Sequence, residues 1–393
     1  MVGLNRNPDG KLRKYRFSRV ISDGNVIENG LIVIKGEKIA EVGTPEHSDF
    51  IDYSDYTAVP GFIDIHTHGM KGVDTYDLDT RSLEAWSADV IKTGVTGLIP
   101  SIVSASTERI VSFLNTVSAF PNEFHPGNHA VILGGRLEGP YINRERKGAH
   151  DPAYIRNPRA AEYESLFSNF SRVLKIIDVA PEINGALEMI KASGKSGISV
   201  SIGHTAADFP QSMAAFEAGA RLVTHFYNAM NPFHHRETGL IGSGMLDERI
   251  YIELICDLKH VSREALKIAL TMKTFDRVIT VTDSSPATLC QDGFYKLGSL
   301  DVEKKGDECV LKGTDTIAGS VVTMDSEIRN LRNMGYPLEL IVKTVTSNPA
   351  RLLGLRNIGF LKPGYNANVV LLDRELKVKY VILDGKMLDV AEI

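Results

Sequence analysis

The sequence predicts an α/β chain: a TIM (β/α)8 barrel with a small β-sandwich domain built from both chain termini. Three observations lead there. Apolar runs alternate with amphipathic stretches through the middle of the chain. Both ends read instead as short strands. No glycine-rich phosphate turn follows an early strand, as a doubly wound sheet would show.

Near the N-terminus, LIVIKGEKIAEV (Leu31 to Val42) reads as two strands joined by a turn at Lys35–Lys38. Near the C-terminus, NVVLLD and VKYVILDGKML repeat that style, with Asp384-Gly385 as a hairpin turn. Neither end holds enough strands for a stable sheet, so the two are expected to pair, giving a small domain from 1–58 and 360–393. In 59–359, HAVILGGRLEGP, RVLKIIDVAPE, GISVSIGHT, ARLVTHFYNAM, YIELICD and DRVITVTD each read as a buried strand ending in polar residues. SLEAWSADVIKTG, PEINGALEMIKASGK and SREALKIALTMK supply crossover helices. The stretch 292–313 reads as an inserted β-hairpin.

Composition narrows the function. The chain has 393 residues, 43% hydrophobic and 24% charged, and a formal net charge of -5. No basic block is present to neutralise a nucleic-acid backbone, and no apolar run is long enough for a membrane span. A small anionic substrate needs only one or two local cations and stays open. The cysteines, Cys256, Cys290 and Cys309, are too few and scattered for a disulfide framework or a thiolate zinc site. With no apolar leader at the N-terminus, a cytoplasmic protein is expected.

The chemistry gathers at strand ends. His66 and His68 close GFIDIHTHG, and residues two apart on a strand point the same way. Two partly buried histidines satisfied by backbone would leave the same pattern. The other candidates weigh against that: Glu138, His204, His225 and Asp283 each follow an apolar run, where a TIM barrel forms its active face. Imidazole and carboxylate donors without thiolates suit a catalytic divalent metal, zinc or iron, one or two per subunit. Asp283 reads as a further ligand or as the proton-transfer residue, and a helix N-cap in TDSS is compatible with either. Lys175 falls early in its strand and reads as structural. His47, His125 and His129 read as surface residues.

PGFIDIHTHG, LEGPYINRERKGAH, GHT, THFYNAMNPFHHRETG, CDLKH, VTDSS and TIAGSVVTM, in this order, resemble the N-acetylglucosamine-6-phosphate deacetylases of the amidohydrolase superfamily, from about Val59 onward. The resemblance implies hydrolysis of the acetamide of N-acetylglucosamine 6-phosphate, a metal-dependent barrel, and usually a homodimer. It makes Glu138, His204 and His225 the common metal ligands and His66 and His68 those of a position only some members keep. It makes Asp283 the acid/base and places His150 near the acetyl carbonyl. It further implies substrate contacts at Ala149, His150, Asn228 and Ala229, and a phosphate-binding Arg236 that relatives donate across the dimer. Asp257, His260, Ile317, Ala318 and Gly319 match further sugar or phosphate contacts. Two departures concern the sugar. Members often have D-G-x-H where this chain has Asp257-Leu258-Lys259-His260, and SSPATLCQDG after Asp283 departs from the usual small-residue pattern. An N-acetylgalactosamine-6-phosphate deacetylase, a deaminase-like member and a barrel that has lost catalysis are the competing readings.

Overall fold

The computed structural model describes residues 12–45, 49–120 and 128–393. His47 and His125 lie outside them.

The barrel strands are Phe62–Thr67, Val95–Ile102, a third in two pieces (Val131–Ile132 and Gly135–Leu137), Leu174–Val179, Ser199–Ile202, Leu222–Val223, Tyr251–Leu254 and Val278–Thr280. Each pairs parallel with the next. The expected continuous third strand breaks at Gly134, which sits at φ 144. A Cβ there would lie 2.3 Å from the Val173 carbonyl oxygen, so only glycine lets the neighbouring backbone this close. Residues just past the eighth strand meet the first through one side-chain and one main-chain bond. Thr282 Oγ1 donates to Asp64 Oδ2 at 2.6 Å, and the Asp283 N–H donates to the His66 carbonyl at 2.8 Å.

The crossover helices follow their amphipathic patterns. Arg263–Lys273 starts at an N-cap, Ser262, whose side chain accepts from the Ala265 N–H, and it buries Leu266, Ala269 and Leu270. In PEINGALEMIKASGK the helix begins late, at Ala186, because Gly185 holds a left-handed turn at φ 83. These helices and the outer strand faces share the main core, which includes Trp86, Phe113, Phe216 and Phe226.

The chain ends pair as expected, in one hydrogen-bonded path. The C-terminal strand Val369–Leu372 runs antiparallel to Ile51–Pro60, which runs parallel to Leu12–Ser22. A separate core of Tyr15, Phe17, Ile32, Ile34, Val369 and Ile382 fills this domain. The predicted turns hold, with Lys35 opposite Lys38 and Leu383 opposite Lys386. The inserted element has three strands rather than two: Gly293–Leu297, Leu300–Lys305 and Glu308–Leu311 form an antiparallel meander. The third strand pairs where Leu300–Lys305 would otherwise expose an open edge.

Candidate metal centre

The strand ends converge on Glu138, which directly follows Leu137. Its Oε1 lies 3.1 Å from His204 Nε2, 3.1 Å from His225 Nε2 and 3.3 Å from His66 Nε2. Its Oε2 lies 3.2 Å from His68 Nε2 and 3.1 Å from His150 Nε2. Asp283 Oδ1 is 3.1 Å from His68 Nε2 and 3.5 Å from His66 Nε2. All seven side chains are buried. Two groups of donors result, His66–His68–Asp283 and Glu138–His204–His225.

Three of these residues hold strained backbone. His204, His225 and Asp283 have positive φ, at 48°, 25° and 47°. Such conformations cost on the order of 1–3 kcal/mol each in non-glycine residues and persist when neighbours impose them. The constraints are visible. The His204 carbonyl accepts from the Asn143 N–H, the His225 carbonyl accepts from the Asn228 N–H, and the Asp283 carbonyl accepts from the Ser320 N–H. No helix starts at Asp283; turns follow it, so the cap reading falls away.

Hydrogen bonds behind the rings set which nitrogen is free. His68 Nδ1–H donates to the Ser101 carbonyl at 2.6 Å and His204 Nδ1–H to the Arg146 carbonyl at 2.9 Å. Carbonyls only accept, so the Nε2 atoms of both rings carry lone pairs aimed at carboxylate oxygens. Lone pairs facing anions repel, so a cation must lie between them. His66 Nε2 is likewise buried without a hydrogen-bond partner. The donor set therefore fits a divalent metal. In the bare chain protons take that role. Burial opposes the charged form of His68, yet Asp283 and Glu138 outweigh it and raise its pKa to about 9. Burial would raise Asp283, but His66 and His68 hold its carboxyl below the usual range.

His150 differs. Its Nδ1 accepts from the Ser104 N–H at 3.0 Å and from Ser104 Oγ at 2.9 Å. Its Nε2 therefore bears the proton and points into the centre. Burial, only partly offset by Glu138, lowers its pKa to about 4, leaving a neutral N–H donor.

The remaining sequence candidates make contacts of their own. Asp257 Oδ2 accepts from His260 Nδ1 at 2.7 Å, and Leu258 between them stands at φ 66. Leucine thus occupies a left-handed position of the kind that glycine adopts without strain. Ala229 also has positive φ, and its carbonyl accepts from the Thr205 N–H; Asn228 Nδ2 donates to the His225 carbonyl. Gly319, at φ 60, would place a Cβ 3.0 Å from the Asp283 carbonyl oxygen. Ala318 is buried, its N–H on the Cys309 carbonyl, and Ile317 bridges Val310. Ala149 packs on the core beneath the meander. Arg236 is exposed, with its guanidinium beside His235 Nε2 at 3.1 Å. Lys175 is half-buried at the start of its strand, where burial lowers its pKa. His129 lies near the surface, against the Glu84 carbonyl.

Sequence reasoning missed Ser104 and a buried ionic network under the site formed by Arg136, Asp178 and Glu253. A signal existed. Each of the three interrupts an otherwise apolar strand run, in GGRLE, KIIDVA and YIELIC.

A barrel with such donors at its strand ends defines a metal-dependent hydrolase. The chain belongs to the amidohydrolase family, whose model matches residues 57–388. It is 34% identical over 330 residues to the N-acetylgalactosamine-6-phosphate deacetylase of Escherichia coli O157:H7, covering 84% of this chain and 86% of that protein. It is 33% identical over 359 residues to the N-acetylglucosamine-6-phosphate deacetylase of Lysinibacillus sphaericus, covering 90% and 92%. Among solved structures, a mutant of the Mycobacterium smegmatis N-acetyl-D-glucosamine-6-phosphate deacetylase in complex with N-acetyl-D-glucosamine-6-phosphate superposes with a TM-score of 0.90 at 31% identity, over 96% of this chain and 99% of that one. The Thermotoga maritima N-acetylglucosamine-6-phosphate deacetylase gives 0.85 at 31%, over 94% and 97%. No described helix is long and apolar enough to cross a membrane.

Proposed function

We propose that this chain hydrolyses the acetamide of N-acetylglucosamine 6-phosphate to glucosamine 6-phosphate and acetate, as a cytoplasmic homodimer. The observation that carries the reading is the convergence of Asp283 and His150 on the centre: His150 Nε2 lies 3.1 Å from Glu138 Oε2, and His68 links that same oxygen to Asp283 Oδ1. One offers a carboxylate that stays ionised, the other a neutral Nε2–H.

The residues fit a divalent metal, zinc or iron: Glu138, His204 and His225 would hold it, with His66 and His68 available to a second ion. When bound, it supplies Lewis acidity that activates water and polarises the carbonyl. Asp283 accepts the proton of the attacking water and returns it to the departing amine. His150 donates Nε2–H to the acetyl oxygen as charge gathers there, and Ser104 holds its tautomer. Arg236 and the Asn228–Ala229 turn are assigned to the phosphate, and Ala149, Asp257, His260 and the Ile317–Gly319 stretch to further sugar or phosphate contacts. Remote phosphate contacts hold the reacting carbon in register.

The galactosamine epimer is the second reading, favoured by the 34% identity to the E. coli relative. Acetate release from both phosphorylated sugars, with metal content measured on the same sample, tests the assignment. Turnover of N-acetylglucosamine 6-phosphate well above its epimer is expected; the reverse order reassigns the sugar, and no release from either overturns the reaction.

A further inference from the structure

The barrel interior beneath the centre holds three charged side chains with no exposure at all: Arg136, Asp178 and Glu253. Burying charge is expensive, and replacing such a network with apolar side chains is often neutral or stabilising. Its geometry is specific. Arg136 Nε and Nη2 donate to the two Asp178 oxygens, each at 2.9 Å. Arg136 Nη1 donates to Glu253 Oε1 at 2.5 Å and Nη2 to Glu253 Oε2 at 3.2 Å. Glu253 Oε2 then accepts twice from the site above, from His66 Nδ1–H at 3.0 Å and from the His225 N–H at 3.2 Å.

We propose that Glu253 is a positioning residue for the metal centre: its Oε2 fixes the ring of His66 and the backbone of His225 together, with Arg136 holding the carboxylate beneath them. This rests on the reading of His66 and His225 as ligands. His66 belongs to one donor group and His225 to the other, so a single oxygen sets the spacing between the groups. A carboxylate at Nδ1 makes Nε2 the lone-pair nitrogen and turns it toward Glu138 and Asp283. The His225 contact falls at a backbone of φ 25°, where an anchored N–H keeps a strained turn in place. One arginine facing two carboxylates leaves a negative charge behind His66, which strengthens its donation.

The test is zinc affinity, measured by competition with a chromophoric chelator on the full chain. Glu253→Gln keeps the shape but loses the charge and presents an amide that cannot accept at both oxygens. It is expected to bind zinc roughly 10–100-fold more weakly than the unaltered chain. Asp178→Asn alters the same network without touching either ring and is expected to stay within about threefold of it. A purely structural role would move both variants alike. In a His66→Gln background the Glu253→Gln effect should shrink, because its main contact is gone. His66→Gln alone tests the ligand reading. If it leaves zinc binding unchanged, that reading falls. If it weakens zinc binding and folded Glu253→Gln does not, only the positioning role falls. Should Glu253→Gln not fold, the zinc-loaded chain with 15N-labelled histidine decides. A His66 Nδ1–H proton shifted downfield and protected from exchange is expected, and a freely exchanging one overturns the proposal.

Discussion

His204 and His225 present their Nε2 atoms to each other at 3.0 Å, both against one oxygen of Glu138. Because His204 Nδ1–H is committed to the Arg146 carbonyl, the neutral His204 ring turns its Nε2 lone pair on Glu138, a repulsion that a cation between the rings relieves. Removing the metal should therefore destabilise the chain. An ion present at a hundred times its dissociation constant contributes about 2.7 kcal/mol, so thermal denaturation after chelation should show a midpoint several degrees lower, restored by added zinc. An unchanged midpoint would argue that nothing binds there.

The same destabilisation should depend on pH. In the metal-free chain the His68 pKa is raised to about 9, after its carboxylate neighbours overcome burial. A raised folded pKa gives stability that is fully present below the unfolded value of about 6.5 and lost as pH climbs through about 9. Protons thus substitute for the metal at low pH and fail to at high pH. The midpoint difference between loaded and stripped protein should widen from pH 6.5 to pH 9; a constant or narrowing difference would contradict the charge arrangement around His68.

Much of this site was legible in the sequence, for a geometric reason. His66 and His68 share a face because strands repeat every two residues, and Glu138, His204, His225 and Asp283 each stand where an apolar run stops. What could not be read depends on partners distant in the chain. Ser104 serves His150, 46 positions on, and Glu253 serves His66, 187 positions back. No local pattern encodes either contact. The strand Leu12–Ser22 did carry a signal: Tyr15 and Phe17 are buried between Arg and Lys positions, an alternation obscured by the density of charge. The break at Gly134 was masked because a glycine pair in an apolar run fits both a bulge and a continuous strand.

Asp283 touches both other donors of its group, and they hold its carboxyl in the ionised form. Asp283→Asn retains the shape but cannot accept and return a proton. Turnover should fall roughly 10²–10⁴-fold, with zinc content of purified protein still that of the unaltered chain. Activity within tenfold of normal would remove Asp283 from the proton path.

His150 should act through hydrogen-bond donation alone. Its neutral ring needs no titration near pH 7, since its pKa lies at about 4. His150→Ala should lower kcat roughly 10²–10³-fold, in line with loss of one donor to a developing oxyanion. His150→Gln, which retains an N–H in reach, should recover part of it. Equal losses in both variants would indicate that the ring packs rather than donates.

Gly319 tests how tightly the backbone holds Asp283. A methyl group there meets the Asp283 carbonyl oxygen at 3.0 Å, and the φ of 60° penalises any side chain besides. The Ser320 N–H, one residue on, is the donor to that same carbonyl at 2.7 Å, so the strain cannot be relieved without lengthening this bond. Gly319→Ala should cost about 1–3 kcal/mol in chemical denaturation. Because the displaced group is the backbone of Asp283, kcat should fall along with stability, even at temperatures where the variant is fully folded. A variant that loses stability but keeps full kcat would show that Asp283 tolerates movement of its own main chain, and would shift the burden of orienting its carboxylate onto His66 and His68.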